Sequence, residues 1–188
     1  MEPVLPKLVE DACRTLQALA NQEDVFQRIA AAAIATLKSG GKILACGNGG
    51  SAADAMHLTQ ELVGRFRSNR RSLPGVSLAA DPTALTCIGN DFGFENVFSR
   101  QVEGLADKND LLVCFSTSGN SPNILRALEA AKAKGVTSVA LLGKGGGKAK
   151  GKADLEIIIA NSDSGRVQEA HTLILHALLE VIERDIAV

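Results

Sequence analysis

The sequence predicts an α/β protein, a three-layer αβα sandwich with a five-stranded parallel sheet, preceded by an N-terminal helix pair. Three observations predict it. Five short apolar runs recur along the 188 residues, helical patterns separate them, and two of the runs end in loops rich in glycine or serine. Short strands that are apolar throughout are typical of a parallel sheet covered by helices on both faces.

Two amphipathic helices are predicted within residues 1–40. Apolar residues recur at three- and four-residue spacing from Val4 to Leu19, and again from Asp24 to Leu37. Asn21 is the predicted N-cap of the second helix, and Gly40-Gly41 ends it. Because this pair is not needed to close the sheet, we expect its apolar faces to pack against other subunits.

Residues 41–188 are predicted to form one α/β unit without an internal linker, so that the whole chain is a single domain. Strands are predicted at 42–46, 76–79, 111–115, 136–142 and 155–160, and helices at 52–63, 82–88, 97–105, 122–134 and 167–185. The segment from Gly143 to Lys152 is interpreted as a flexible, solvated loop. Steering of an anionic ligand by its lysines is the alternative.

Composition excludes several classes of function and favours one compartment. A net charge of −1 provides no general attraction to nucleic acid or to an anionic membrane, and six Phe with no Trp or Tyr argue against base-stacking platforms. The four cysteines form no C-x-x-C pair, and three lie in apolar contexts typical of buried, reduced thiols. Met1-Glu2-Pro3 does not resemble a signal peptide, and no apolar run is long enough to span a membrane. We therefore expect a cytoplasmic protein.

The first predicted strand ends in Gly47-Asn48-Gly49-Gly50-Ser51, and a helix begins at once. Glycines expose backbone N–H groups, and a helix N-terminus adds partial positive charge, so we expect an anion to bind there. The run also matches the dinucleotide pattern G-x-G-x-x-G/A, but Asp81 comes too late to be the acidic residue that this pattern requires. A tight turn that binds nothing is the structural alternative.

The third predicted strand ends in a second loop, Ser116-Thr117-Ser118-Gly119-Asn120-Ser121, followed by Pro122. Hydroxyl and backbone N–H groups converge there on a helix N-terminus. Hydroxyls without a lysine suit a phosphomonoester, whereas a P-loop contains Gly-Lys-Ser/Thr. Two such loops after strands of one parallel sheet predict a ligand at the carboxyl ends of the strands.

Two pairs of side chains are candidates for catalysis or metal binding. His57 and Glu61 are four residues apart on the first loop's helix, so both leave the same face. Gln168 and His176 of the last helix are eight residues apart, about 80° in azimuth, so both can border one cleft. Together they offer nitrogen and oxygen ligands for a metal ion, and exposed helix-surface side chains are the alternative.

In combination these motifs resemble the phosphoheptose isomerases (sedoheptulose-7-phosphate isomerases) of the sugar isomerase (SIS) superfamily. The resemblance is carried by residues 47–57 with Glu61-Leu62, by 89–94, by 116–121, and by 166–171 with His176. These segments follow one another in the family's order, and the resemblance covers essentially the whole chain. It implies a SIS domain with flavodoxin-like topology.

The resemblance implies isomerisation of D-sedoheptulose 7-phosphate to D-glycero-D-manno-heptose 7-phosphate, a step toward ADP-heptose and bacterial lipopolysaccharide. It also implies a homotetramer with sites at subunit boundaries, and one Zn²⁺ per subunit. The implied proton carriers are Glu61 and His176, and the implied zinc ligands are His57, Glu61, Gln168 and His176. The implied phosphate ligands are Ser116, Thr117, Ser118 and Ser121, and the implied sugar contacts are Asn48, Gly49, Gly50, Ser51, Glu61, Asn90, Asp91 and Gln168.

This chemistry agrees with the residue types. Aldose–ketose isomerisation moves a proton between C1 and C2 through an enediol, so it needs one base beside both carbons and a second acid/base group for the oxygens. Glu61 suits the first role and His176 the second, while a divalent ion polarises the carbonyl. The main alternative is a non-catalytic SIS scaffold that binds the replication initiator DnaA, a class that lacks this pair. A dinucleotide-dependent oxidoreductase rests on the glycine pattern alone.

Overall fold

Five parallel strands form one central sheet in the computed structural model, which describes residues 3–186. The strands are β1 (Ile43–Gly47), β2 (Gly75–Ser77), β3 (Leu111–Ser116), β4 (Thr137–Leu142) and β5 (Leu155–Ile158). Their order across the sheet is β2-β1-β3-β4-β5, and all neighbouring strands are parallel. This confirms the predicted architecture. The order reverses between β1 and β3, whose carboxyl ends therefore flank the crevice where such sheets bind ligands.

Helices cover both faces of the sheet. They are α1 (Leu5–Leu19), α2 (Glu23–Lys38), α3 (Gly50–Val63), α4 (Pro82–Phe92), α5 (Ser99–Leu105), α6 (Pro122–Lys134) and α7 (Ser164–Ile186). Short 3₁₀ segments lie at Ala20–Gln22, Phe94–Asn96 and Lys144–Ala149. No described helix is both long and apolar enough to cross a membrane. The predicted N-terminal helix pair is present as α1 and α2. The described residues do not include Met1 and Glu2, which were used in the signal-peptide comparison, or Ala187 and Val188.

The apolar strand runs are explained by two cores, one on each face of the sheet. Successive residues of β1 point to opposite faces, so Ile43 enters the core under α2, α3 and α7, and Leu44 enters the core under α5 and α6. Both side chains are fully buried. Burial of each such side chain stabilises the fold by on the order of 1.5–3 kcal/mol. Because helices cover both faces of the sheet, the strands do not alternate between apolar and polar residues.

The predicted N-cap of the second helix is wrong. Asn21 lies inside the 3₁₀ segment Ala20–Gln22, and α2 begins after Gln22. The Gln22 side chain instead pairs with the backbone of Ile158 in β5: its Nε2 donates to the carbonyl at 3.0 Å, and its Oε1 accepts from the N–H at 3.2 Å. This tertiary contact ties the start of α2 to the edge of the sheet, and the Gln22 side chain makes no capping bond to α2.

The expectation of three buried cysteines is also wrong. All four are free thiols, but only Cys46 and Cys114 are buried, whereas Cys13 and Cys87 are exposed. The buried pair occupies neighbouring positions on β1 and β3, with the sulfur atoms 3.5 Å apart. The hydrogen bond with Cys114, together with burial, raises the pKa of Cys46 well above its ordinary value. The Cys46 thiol is therefore protonated at neutral pH.

The segment Gly143–Lys152 is folded, and does not form the free loop that its composition predicts. Within it, Gly146 and Ala149 are buried and the four lysines are exposed. The Ala149 N–H donates to the carbonyl of Gly119 at 2.9 Å, and the Lys148 N–H donates to Oδ1 of Asn120 at 3.0 Å. These bonds fasten the segment to the loop that follows β3.

His171 of α7 is fully buried in the core beneath the sheet. Its ring meets that of Phe115 in β3 edge-on, with the centroids 5.9 Å apart. Burial lowers the pKa of His171 to about 4, an effect that the Leu142 carbonyl opposes. The imidazole is therefore neutral in the folded protein at pH 7, whereas in the unfolded chain its pKa is about 6.5.

This difference makes stability depend on pH. Because the folded-state pKa is depressed, the contribution of His171 is fully present above pH 6.5 and is lost progressively as the pH falls toward 4. We expect the loss to be about 3 kcal/mol from this residue alone. The His171→Leu variant should therefore lose less unfolding free energy than the wild type between pH 7 and pH 4 in urea titrations. Equal pH dependence of the two proteins would contradict this account.

Candidate active site

The loop Gly47–Gly50 joins β1 to α3 at the carboxyl edge of the sheet. Gly49 has a φ of 56°, a conformation that glycine adopts without strain. Gly50 lies so close to Gln168 in the first turns of α7 that an added Cβ would collide with the Gln168 carboxamide. The absence of a side chain at position 50 therefore lets Gln168 reach the beginning of α3.

Asn48 in this loop pairs with Asn123 in the first turn of α6. Nδ2 of Asn48 donates to Oδ1 of Asn123 at 2.8 Å, and the reverse bond has the same length. Asn123 is buried and Asn48 is half-buried. This reciprocal amide pair holds the first loop beside the helix that follows the second loop, and it orients the carboxamide predicted to contact a sugar.

The second loop, from Ser116 to Ser121, joins β3 to α6. Ser116 is buried, and its Oγ accepts the Gly119 N–H at 3.0 Å, so it supports the loop from beneath. Ser118 Oγ accepts the Asn120 N–H at 3.2 Å. Thr117, Ser118 and Ser121 are half-buried. Gly119 has a φ of 62°, and an added Cβ would collide with the Gly146 carbonyl, so the loop is held against the folded segment 143–152.

A cleft of about 420 Å³ lies between the two loops. Its volume is within the range of small-molecule sites. It is lined by Asn48, Gly49, Phe94, Glu95, Ser121, Pro122 and Asn123. The N-terminus of the 13-residue helix α6 is part of this lining, and its partial positive charge favours an anion at that end. Pro122 has no N–H and the Ile124 N–H donates to the Ser121 carbonyl, so in this first turn the Asn123 N–H is the one left for a ligand.

Two of the predicted sugar contacts lie apart from these loops. Asn90 and Asp91 are exposed in the last turn of α4. Asn90 Nδ2 donates to Oδ1 of Asp91 at 2.7 Å, and the Cys87 thiol lies 3.7 Å from Asp91 Oδ2. Their side-chain hydrogen bonds are thus local to α4, and their contact with a sugar stays a prediction.

Three of the predicted site residues do come together where α3 packs against α7. His57 Nε2 lies 3.4 Å from Glu61 Oε1 and 3.4 Å from His176 Nε2. The Glu61 side chain is only 17% exposed, so its carboxylate lies at the edge of the core. Burial lowers the pKa of His176, as do the neighbouring His57 and Arg67, while Glu61 opposes the shift. His176 is therefore neutral at pH 7, and a neutral imidazole can accept a proton.

Several residues of the site were not found from the sequence. Asp54 is buried one turn before His57, and its Oδ1 accepts from Thr172 of α7 at 3.1 Å, while Oδ2 lacks a partner among the described residues. Burial raises the pKa of Asp54 above its ordinary value. An acidic residue between alanines, on the same helix face as His57, was the available signal. Phe94 belongs to the segment 89–94 that carries the family resemblance, whereas Glu95 reaches the cleft only through the tertiary fold and no local pattern marks it.

The proposed zinc ligands fit such an ion in their chemistry. Two imidazoles, a carboxylate and an amide oxygen are donors that zinc accepts, and zinc–nitrogen bonds of about 2.05 Å at a tetrahedral angle separate two nitrogens by about 3.3–3.4 Å. The Nε2 atoms of His57 and His176 are 3.4 Å apart. Within residues 3–186, however, no three His, Cys, Asp or Glu side chains are already arranged around one metal position. The complete ligand set, with Glu61 and Gln168, stays a prediction.

Comparison with known proteins shows which proteins this chain resembles in sequence and in fold. The model of the SIS domain family matches residues 9–143. The chain is 55% identical over 152 residues to the phosphoheptose isomerase of a Nitratiruptor species, with 81% of each chain covered. It is 49% identical over 181 residues to that of Vibrio cholerae, with 94% of each covered. The structure of the Neisseria gonorrhoeae phosphoheptose isomerase superposes with a TM-score of 0.89 at 38% identity, covering 96% of this chain and 97% of the other.

The geometry of the second loop predicts the effect of removing one hydroxyl. Ser121 lines the cleft, and its side chain makes no capping bond to α6, so its hydroxyl is free for a ligand. We expect Ser121→Ala to weaken binding of a phosphate monoester by about 1–3 kcal/mol, with little change in the free energy of unfolding. Ser39→Ala, at the end of α2 and before β1, is the matched control. Isothermal titration calorimetry that finds equal affinity in Ser121→Ala and the wild type would place the phosphate elsewhere.

Proposed function

The chain belongs to the phosphoheptose isomerases of the SIS domain family, and from this premise we propose that it interconverts D-sedoheptulose 7-phosphate and D-glycero-D-manno-heptose 7-phosphate. It is an aldose–ketose isomerase. The observation that carries the assignment of residues is the meeting of His57, Glu61 and His176 on α3 and α7. The first turns of these two helices meet at Gly50, in the loop that borders the cleft.

We propose that the phosphate of the substrate binds in the second loop. Three half-buried hydroxyls, those of Thr117, Ser118 and Ser121, lie at the N-terminus of α6. Such a site neutralises a phosphate through backbone N–H groups and the helix dipole, so it needs no lysine. The Ser116 Oγ accepts the Gly119 N–H, so Ser116 contributes to phosphate binding by holding this loop in place. Its own hydroxyl proton is left for donation to the phosphate.

The proposed mechanism has two proton carriers. Glu61, as a carboxylate, removes the proton from C1 of the ketose and returns it to C2, so the enediol forms and is then reprotonated at the other carbon. His176 receives the proton of the C1 hydroxyl and supplies one to the C2 oxygen, so the oxygens exchange roles without net gain or loss of protons. The neutral state of His176 and the partial burial of Glu61 support these roles.

We further propose one Zn²⁺ per subunit, bound by His57, Glu61, Gln168 and His176. The donor chemistry and the separation of the two Nε2 atoms support it. When bound, the ion would polarise the substrate carbonyl as a Lewis acid. Asp54 and Thr172 link the two helices that carry the four ligands, and so limit how far the ligands can separate.

A homotetramer is proposed on the basis of the beginning of α1. The expectation that both N-terminal helices pack against other subunits is wrong for α2, whose apolar face is buried in this chain's own core. Val4, Leu5, Leu8 and Val9 of this region are 43–70% exposed, although all four are apolar. At the other end of α1, a groove of about 260 Å³ with mostly apolar walls runs between α1, α2 and α7. Apolar surface of this extent favours contact with another subunit. We also propose a cytoplasmic location, which the four free thiols support. We propose that the product supplies heptose for ADP-heptose and lipopolysaccharide precursors.

The two alternatives have less support. The relatives described above are named as isomerases, and nothing in the comparisons favours a scaffold that binds DnaA. The dinucleotide interpretation also lacks its acidic residue, because Asp81 is used as the N-cap of α4. Its Oδ1 accepts from the N–H groups of Thr83 and Ala84 at 2.8 and 3.1 Å.

The Glu61→Gln variant tests the proposed base. The amide keeps the size of the side chain but cannot accept a proton at neutral pH, so we expect turnover to fall by about 100-fold or more while the substrate still binds. Glu129→Gln, an exposed carboxylate on α6, is the control and should keep full activity. Turnover of sedoheptulose 7-phosphate is followed by NMR. Full activity in Glu61→Gln would exclude this base, and an inactive wild type, with and without added zinc, would refute the proposed function.

The His57→Ala variant separates the metal from the proton carriers. It removes one proposed zinc ligand but neither proposed carrier, so the zinc content should fall first. Activity should then fall only as far as the metal polarises the carbonyl or positions Glu61. Zinc is measured by elemental analysis and compared with turnover in the same samples. Undiminished zinc content in His57→Ala would remove His57 from the ligand set.

The oligomeric state is tested with a charge placed in the apolar N-terminal surface. Leu5, which is 70% exposed, lies in α1, and Leu105, which is 47% exposed, lies at the end of α5. Light scattering should give the mass of a tetramer for the wild type and for Leu105→Glu, and a smaller species for Leu5→Glu. A stable wild-type monomer at micromolar concentration would contradict the proposal.

A further inference from the structure

A phenylalanine outside the motifs described above packs on the ring of His176. Phe66 lies in the turn after α3, and its ring stacks on the imidazole with the centroids 5.4 Å apart and the planes 23° apart. The His57 ring meets the same imidazole edge-on, at 5.0 Å and 79°. His176 is thus held between a stacked ring and an edge-on ring, which restricts rotation about its side-chain torsions.

The turn that carries Phe66 is fixed by a buried carboxylate. Glu183 lies two turns after His176 on α7 and is 5% exposed. It accepts three consecutive backbone N–H groups, those of Phe66 at 2.9 Å and of Arg67 and Ser68 at 3.0 Å each. Burial raises the pKa of Glu183, but these bonds and the Arg70 guanidinium outweigh it, so the net shift is downward. The carboxylate is therefore ionised at neutral pH and binds the turn as an anion.

Arg70 connects this carboxylate to the end of α3. Its side chain is 3% exposed, and its Nε donates to Glu183 Oε1 at 3.1 Å. Nη2 donates to the backbone carbonyl of Glu61 at 2.7 Å, and Nη1 to that of Leu62 at 2.9 Å. The same guanidinium therefore satisfies the last carbonyls of α3 and neutralises the carboxylate that holds the turn.

We propose that Phe66 is a positioning residue for His176 in the isomerisation, and that the buried Glu183–Arg70 pair holds Phe66 and the backbone of Glu61 in one rigid unit. The inference rests on the proposed roles of Glu61 and His176. Both proton carriers are side chains with rotational freedom, and a displacement of about 1 Å at a reacting group costs up to about 100-fold in rate.

The direct test removes the ring and keeps the apolar volume. In Phe66→Leu we expect kcat to fall about 10- to 100-fold with KM changed less than about 3-fold. Phe66→Tyr keeps the ring and should keep most of the activity. Phe98→Leu is the matched control, because Phe98 is buried in the core on the opposite face of the sheet. It should lower stability and leave kcat unchanged.

A second readout reports the position of the ring without catalysis. With ¹³Cε1-labelled histidine, the wild type gives three signals, one for each histidine. The ring current of Phe66 acts on His176, so Phe66→Leu should shift and broaden the His176 signal, while Phe98→Leu should leave it unchanged. Zinc content is matched between samples, so that a change of metal cannot imitate the shift.

The carboxylate is tested by Glu183→Gln, which should reproduce both changes seen in Phe66→Leu. Its control is Asp185→Asn on the same helix, which breaks only the exposed ion pair with Arg184. Arg70→Lys, which cannot reach Glu183 and two carbonyls together, serves if Glu183→Gln does not fold. An unmoved His176 signal in Phe66→Leu, or a kcat no lower than that of Phe98→Leu, would overturn the proposal. The His176→Asn variant distinguishes a failure of the Phe66 proposal from a failure of the proposed function. If His176→Asn retains turnover, His176 is not a proton carrier, whatever the NMR signals of the Phe66 variants show.

Discussion

The packing of α3 against α7 is the constraint on which the site depends. Contacts between these helices follow one another along their length: Gly50 admits the carboxamide of Gln168, Asp54 accepts from Thr172, and His57 meets His176. Neither helix carries a complete site. Each contributes half of the proposed acid–base and ligand groups, so the angle and spacing of the two helices decide whether the proposed proton transfer is possible. Gly50 leaves room there for the Gln168 carboxamide, the end of a long side chain.

The architecture was predictable because its signals are local and repeated. Strands such as β1 and β3 are apolar throughout, since helices cover both faces, and Pro122 marks the beginning of α6. Errors occurred where a distant contact decides the outcome. Gln22 is tied to β5 rather than capped locally, and the segment 143–152, whose composition indicates a flexible loop, is ordered by its bonds to the second loop. Neither partner is close in sequence, so no window of residues reveals them.

The meeting of His57, Glu61 and His176 was predictable from the sequence, whereas their roles stay predictions. The i, i+4 spacing of His57 and Glu61 and the glycine and serine loops are patterns within single elements, and family resemblance supplied the roles. The residues that support the proposed proton carriers were not predicted from the sequence. Phe66, Arg70 and Glu183 have no motif of their own, and an arginine-rich turn after a helix indicates a solvated surface when only composition is considered. In the structure one of these arginines is buried and bound to a carboxylate more than 100 residues away along the chain.

Exchange of substrate hydrogen with solvent tests the central claim most directly, namely that Glu61 carries the proton between C1 and C2. The wild-type protein and Glu61→Gln are incubated with sedoheptulose 7-phosphate in D₂O, and deuterium at C1 of the ketose and C2 of the aldose is followed by NMR over many turnovers. A carboxylate base that exchanges its proton with solvent between reprotonations should introduce deuterium at both carbons in the wild type and at neither carbon in the variant. Deuterium entering Glu61→Gln at the wild-type rate would contradict the account.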